Sequence, residues 1–255
     1  MLIKKFLYRL RCLIFPDRCI VCGKISANPY FCKNCKGSLT PFDVKLCSKC
    51  GAPLKHCTCK FYFYYFDSVT CLYENDGAAK ESLYRFKFGG ALYSANYFAN
   101  QMGKNINRCF SDISFDYITA IPMHRKKKAE RGYNQAEVLA RKLSRHTGIK
   151  YKTLLIQPKP SNTQHKLLTV ADRFLNVKDR FVASKPRLIK GKKILVIDDI
   201  MTTGATLSEA ARQLKLSGAD KVFCATALKT VYKKKLTLKK KKPETANIIL
   251  KKLNR

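Results

Sequence analysis

The hydrophobic positions change period several times along the chain, and each change marks an element. Near the start, Ile3, Phe6, Leu7, Leu10, Leu13 and Ile14 fall on one helical face, which predicts an amphipathic docking helix over 1–16. A second change comes at "KFYFYYFDSVTCLYEN", an aromatic, β-rich run that reads as a first strand or hairpin. Helical spacing follows in "GAAKESLYRFKFGGALYSANYFANQMGKNI", broken at Gly89-Gly90. From there short apolar runs and helices alternate. "FDYITAIP", "YKTLLIQ", "KILVIDD" and "DKVFCATAL" are expected strands. "QAEVLARKLSRHTG" and "TLSEAARQLKLSG" are expected helices, the first with Ala136, Leu139, Ala140 and Leu143 on one face and Gly148 as its stop. Alternation of this kind predicts an α/β fold, a mostly parallel sheet with flanking helices. In such sheets ligands sit at the carboxyl ends of strands. That rule selects two loops, one after Ile121 and one after Val196-Ile197.

Between the first helix and the sheet the periodicity vanishes and cysteines take over. Eight of the twelve lie between Cys19 and Cys59, as Cys19-x-x-Cys22, Cys32-x-x-Cys35, Cys47-x-x-Cys50 and Cys57-x-Cys59. A two-residue gap lets two thiolates grip one tetrahedral Zn²⁺, and Gly23 and Gly51 supply the permissive backbone behind two of the pairs. With every position filled by cysteine, the zinc is expected to be structural, one or two ions. A segment this short cannot hold itself together by apolar burial, so metal supplies the missing folding energy. Sequential pairing of the four pairs is expected, with interleaved pairing open, and His56 is read as an exposed neighbour rather than a ligand. Cys12, Cys71, Cys109 and Cys224 are expected as small buried hydrophobes. The expected organisation is a docking helix at 1–16, a Cys-rich double zinc ribbon at 17–62, an α/β domain at 63–230 and a Lys-rich tail at 231–255.

Composition changes the picture in one respect. Hydrophobic residues make up 46% of 255, enough for a packed core, but 51 Lys+Arg face 17 Asp+Glu, a formal charge of +34. Such a surface attracts polyanions, and nucleic acid is the expected partner, with solvated lysines as the plainer account. No apolar run is long enough to span a membrane, and the basic N-terminal stretch lacks the continuous apolar core and cleavage site of an export signal. A reducing cytoplasm is therefore the expected compartment, where clustered cysteines bind metal rather than form disulfides.

The second loop carries the sharpest chemistry. In "VIDDIMTTGAT", Asp198 and Asp199 precede Thr202, Thr203, Gly204, Ala205 and Thr206. The sequence Thr206-Leu-Ser-Glu209 reads as a capping box that opens a helix. Amides and hydroxyls of this loop can converge on one phosphate, helped by the helix dipole. Carboxylates do not seek phosphate, but they accept hydrogen bonds from sugar hydroxyls and reach Mg²⁺ through water. A phosphate cradle beside a diol acceptor describes a ribose 5-phosphate.

This stretch closely resembles the phosphoribosyl pyrophosphate (PRPP) signature of type I phosphoribosyltransferases. "PMHRKKKAERGYNQAEVLARKL", with its "RGYNQ", resembles the ComF/GntX family of competence-associated proteins, as does the pairing with a Cys-rich front end. The resemblance extends to about residue 230. It implies a phosphoribosyltransferase-like domain behind a zinc module, PRPP bound with Mg²⁺, and a role in DNA uptake or single-stranded DNA handling. It further implies a pyrophosphate loop at Pro122, Met123, His124 and Arg125 with Arg131 nearby, which suits arginine's paired hydrogen bonds to phosphate. "SNTQHKLLTVADRFLNVKDRF" resembles the family's mobile loop through Thr163, Gln164, Arg173 and Asn176, with Phe181 behind them. DNA-uptake proteins are implied partners. The lysine density of "TVYKKKLTLKKKKPETANIILKKLNR" departs from the family and suits a nucleic-acid-binding arm. Tyr62, Tyr64, Tyr65 and Tyr133 are candidates for base stacking. No nucleophile framed by a base is visible, so no catalytic residue is assigned. Salvage of a base or amine, and regulated binding without turnover, remain as alternatives.

Overall fold

A computed structural model describes residues 16–57, 59, 63–160 and 170–232. The docking helix over 1–16, Cys12, Tyr62, Thr163 and Gln164, and the Lys-rich arm beyond Tyr232 lie outside the described residues.

The body is a four-stranded, wholly parallel sheet in the order β1-β6-β5-β2. Its strands are β1 (Ser68–Glu74), β2 (Tyr117–Ala120), β5 (Lys193–Met201) and β6 (Lys221–Lys229). The central strands β5 and β6 are apolar because helices cover both faces; Ile194 to Ile197 and Val222 to Leu228 are buried throughout. Around them run α1 (Gly77–Phe88), α2 (Ser94–Cys109), α3 (Arg125–Arg131), α4 (Gln135–Thr147), α5 (Val170–Val177), α6 (Pro186–Ile189) and α7 (Ala205–Leu216). The break between α1 and α2 falls at Gly89-Gly90, and α4 ends at Gly148 in the left-handed region, φ +76°.

Three expectations change. "YKTLLIQ" does not extend the sheet as a strand: only Leu155–Ile156 is extended, paired antiparallel with Val182–Ala183 as the small sheet β3-β4. Tyr151 makes a single bridge to Ile118, the chain then leaves β2, and the Leu154 amide donates to the Thr119 hydroxyl instead. The capping box at Thr206 is not formed. The helix is capped two residues earlier, at Gly204, and Glu209 turns to Arg212, to Gln213 and to the amide of Asp179. Cys109 is exposed at the end of α2, whereas Cys71 and Cys224 are buried as expected.

The cysteine segment is a zinc-ribbon module docked on the body. Ile20, Leu39 and Ala52 belong to the same apolar core as the sheet. Its docking also closes the outer edge of β1. The Val69 amide donates to the Ser48 carbonyl at 2.8 Å, and the Phe42 amide to the Leu72 carbonyl at 3.0 Å. Unpaired edge groups are thereby satisfied without a further strand.

Candidate functional site

Two chemical centres emerge, one in the ribbon and one at the carboxyl end of the sheet. In the ribbon, Cys19, Cys22, Cys32 and Cys35 form one set and Cys47, Cys50, Cys57 and Cys59 a second, with the sulfurs of each set within 4.8 Å of one another. Sequential pairing is the arrangement found, and His56 lies outside both sets. Zinc–sulfur bonds of about 2.3 Å place tetrahedral neighbours about 3.8 Å apart. The Cys22–Cys32, Cys47–Cys59 and Cys50–Cys57 separations are 3.7, 3.5 and 3.6 Å, and Cys57–Cys59, joined through a one-residue gap, is tighter at 3.3 Å. Both knuckles share one backbone pattern, Gly23 to Cys19 at 2.9 Å and Gly51 to Cys47 at 2.8 Å, each glycine having positive φ.

Burial pushes the Cys19 thiol up, but backbone hydrogen bonds from Cys22, Cys32 and Val21 outweigh it and bring it down to about 6. The same contest brings Cys47 down to about 7, helped by the backbones of Cys50 and Lys49. Burial and neighbouring thiols push Cys35 up to about 12. Each set thus holds one thiol poised to ionise first. Four clustered cysteine sulfurs with no open position make structural zinc sites.

The second centre is a cleft of about 190 Å³. It gathers segments far apart in sequence: Pro122 and Met123 after β2, Lys127 and Arg131 of α3, Arg180, Asp198 and Asp199 of β5, and Thr206 of α7. The acidic pair lies within β5, not in a loop after it, because the strand runs on to Met201. The Asp198 carboxylate accepts from the Asp199 amide at 2.8 Å, and Asp199 pairs with Lys87, at the end of α1, at 2.8 Å. Desolvation at the cleft floor, then the charge of Asp199, raise the Asp198 pKa to about 8. Part of its surface still opens to the cleft.

The same cleft is lined by four cations, Lys87, which is already paired with Asp199, and Lys127, Arg131 and Arg180. Desolvation lowers the Lys127 pKa, and the charges of Arg131, Lys87 and Arg180 add to it. Arg180 is lowered by desolvation. Three of these cations, Lys127, Arg131 and Arg180, form no ion pair among the described residues and are suited to an anionic ligand.

The turn after β5 is shaped for close approach. Gly204 has φ +87°, and a Cβ there would lie 2.5 Å from Met201 Cε and 2.9 Å from Tyr64 Cε1. Gly204→Ala is therefore expected to cost about 2–4 kcal/mol, since strained backbone and overpacking add. Thermal unfolding checks this; a loss under about 0.5 kcal/mol would mean the turn relaxes freely.

Not every expected residue faces the cleft: of the stretch Thr202 to Thr206, only Thr206 lines it, beside Asp198 and Asp199. Pro122, Met123 and Arg131 do, but buried His124 caps α3, its Nδ1 accepting from the Lys126 amide at 3.3 Å, and Arg125 is exposed on that helix. Arg173 and Asn176 lie on α5 and do not line the cleft; Arg180 and Phe181 do. Lys87, Lys127, Gln157 and Arg180 line it without having been singled out in the sequence. The "RGYNQ" motif is a bracket. Asn134 donates to the Ile121 carbonyl at 2.9 Å, Gln135 accepts from Arg131 at 3.0 Å, and Tyr133 donates to the Phe86 carbonyl. It thereby ties the end of α1 to the loop after β2.

Comparison with known proteins adds the following. A family model for a phosphoribosyl transferase domain matches residues 129–250, and one for a double zinc ribbon domain matches residues 10–62. Competence protein ComFC of Bacillus subtilis is 29% identical over 200 residues, 73% of this chain and 78% of that protein. Competence protein F of Haemophilus influenzae is 24% identical over 213 residues, 75% and 93% of the two chains. DNA utilization protein YhgH of Escherichia coli is 31% identical over 108 residues, 42% and 46% of the two.

Proposed function

The chain belongs to the ComF family of competence-associated proteins, and we propose that its cleft binds PRPP as the magnesium complex while its basic surface holds single-stranded DNA during DNA uptake. The observation that carries the PRPP reading is the placement of an acidic pair, the helix-start threonine Thr206 and four cations around one space. The turn after β5 would take the 5-phosphate, Asp198 and Asp199 the ribose hydroxyls, and the cations around Arg131 and Lys127 the pyrophosphate. Magnesium would arrive on the pyrophosphate as part of the ligand. Transfer of the ribosyl group to a nitrogen acceptor would need no protein nucleophile, only positioning and charge stabilisation.

The DNA reading rests on the relatives named for competence and DNA utilization and on the charge of +34. Aromatic side chains for stacking are better sought outside the tyrosines named from sequence, since Tyr64 is buried and Tyr133 is tied to Phe86. Tyr84 and Phe88 are 60% and 59% exposed on α1, ring centroids 4.9 Å apart, with the Arg131 guanidinium 4.7 Å from the Phe88 ring. They stand beside the cleft and would offer bases a stacking platform.

Titration calorimetry with Mg·PRPP tests the cleft, and no binding to zinc-loaded protein would reject it. For DNA, oligothymidylate affinity should fall at least about tenfold from 50 to 200 mM salt, as expected when several phosphates are neutralised. A flat salt response would reject contact through the basic surface. Acceptor-dependent release of pyrophosphate would shift the assignment toward a salvage enzyme.

A further inference from the structure

We propose that Lys229 and Tyr64 are positioning residues that hold the turn after β5 from behind, so that its amides face the ligand's phosphate. The inference rests on the sugar-phosphate reading of the cleft. Lys229, the last residue of β6, is 4% exposed, and its ammonium donates to the carbonyl of Thr202. Tyr64, 8% exposed, donates its phenol to the carbonyl of Thr203 at 3.0 Å. Two consecutive carbonyls are thus drawn back by two side chains from distant parts of the chain.

The consequence follows from peptide geometry. In a planar trans peptide a carbonyl and the following N–H point in opposite directions. Holding the Thr202 carbonyl toward Lys229 turns the Thr203 amide to the other side. Holding the Thr203 carbonyl toward Tyr64 does the same for Gly204. Among the described residues neither amide meets a protein acceptor. Thr206, two residues on, lines the cleft.

The choice of lysine also needs a reason. A buried ammonium is costly, and a methionine would fill a similar volume without that cost. An ammonium behind the turn, however, adds a positive charge close to a bound dianion. Its stem is confined as well: Lys229 Cδ lies 3.7 Å from where a Cβ on Gly51 would stand, so the second zinc knuckle walls it in. Tyr64 is set by its stack on Phe66, centroids 5.0 Å apart, and by contact with Gly204.

Zinc-loaded full-length protein would be titrated with ribose 5-phosphate and separately with Mg·pyrophosphate. Lys229→Met should weaken ribose 5-phosphate at least about tenfold, and Tyr64→Phe about fivefold, consistent with losing a charged and a neutral donor. Pyrophosphate, held by the cations across the cleft, should stay within about twofold, since those side chains are untouched. Lys229→Arg should recover most of the loss. Equal loss of both ligands would mean a general structural defect, and unchanged ribose 5-phosphate affinity would remove the anchoring role; either overturns the proposal. Wild-type protein that binds neither ligand would instead sink the sugar-phosphate reading, and the anchors with it. Should Lys229→Met fail to fold, Tyr64→Phe decides through amide shifts of Thr203 and Gly204 on adding ribose 5-phosphate. Those shifts should be large in wild type and reduced in the variant, and equal shifts would overturn the proposal.

Discussion

Stripping zinc with a chelator at neutral pH should lower the unfolding temperature by more than about 15 °C and release two zinc ions per chain. The size follows from what the metal replaces. Structural zinc contributes roughly 10–16 kcal/mol of apparent binding energy in isolated fingers. At about 2–4 °C per kcal/mol for a chain of this length, the lower figure for a single site already corresponds to about 20 °C. The loss would not stay in the ribbon, because Ile20, Leu39 and Ala52 are part of the body's core. Cys47→Ser should remove one ion and leave the other. Acid should act in the same direction. Cys50 is raised to about 11, chiefly by burial, and Cys59 is raised further, so both thiols hold protons at pH 7. At least two protons must leave the second site for zinc to enter, so its affinity should fall about a hundredfold per pH unit as pH drops from 7 toward 6. Mass spectrometry of intact protein and calorimetric melting read both quantities. A melting temperature unmoved by metal removal would refute the structural role.

Replacing the acidic pair should separate stability from binding. Asp198→Asn is expected to abolish measurable Mg·PRPP binding, a loss of about a hundredfold or more, because an acceptor of sugar hydroxyls becomes in part a donor. The same change should stabilise the unliganded protein near pH 8. The sign comes from the raised pKa. The folded carboxyl, near 8, holds its proton over a range where the unfolded one, near 3.8, has lost it. Folding is therefore penalised progressively as pH rises from about 4 to 8, and the full penalty stands above 8. Asparagine removes that slope. An increase of about 1–3 kcal/mol is expected, with the partly open cleft floor keeping it below the value for complete burial. Asp199→Ala should differ in sign, since it strands Lys87 without its 2.8 Å partner and crowds the cleft's cations further. Chemical denaturation at pH 5.5 and 8.5 distinguishes the cases. If Asp198→Asn destabilises equally at both, the carboxyl is not strained in the folded state.

How far the sequence disclosed this arrangement depends on the range of the signal. Zinc pairs are local: two cysteines at a fixed gap with a glycine behind carry their meaning within six residues, and both knuckles form as written. The buried strands β5 and β6 were legible because continuous apolar runs have few other fates. The acidic pair and the glycine turn were legible together because strand, acids and turn are consecutive. Lys87 was not, because its partner Asp199 lies 112 positions further on and its helix shows only an ordinary basic end. Lys127 and Arg180 were hidden for a similar reason: each sits among other basic residues, and only packing decides which one turns inward. His124 misled in the opposite direction. A histidine beside an arginine suggests phosphate contact, but a helix start claims its ring nitrogen first. The helix start at Ala205 defeated the capping pattern because Glu209 found stronger partners in Arg212 and Gln213.

The hydrogen bonds from Val69 to Ser48 and from Phe42 to Leu72 have a consequence for how this chain can be divided. Where most sheets finish on a strand, this one finishes on metal-bound loops. Cutting the chain at the ribbon's end would expose the flank of β1 to any other extended segment, including a second copy of itself. The cysteines thus act as the hem of the sheet, and a body expressed without them is expected to self-associate through that bare flank.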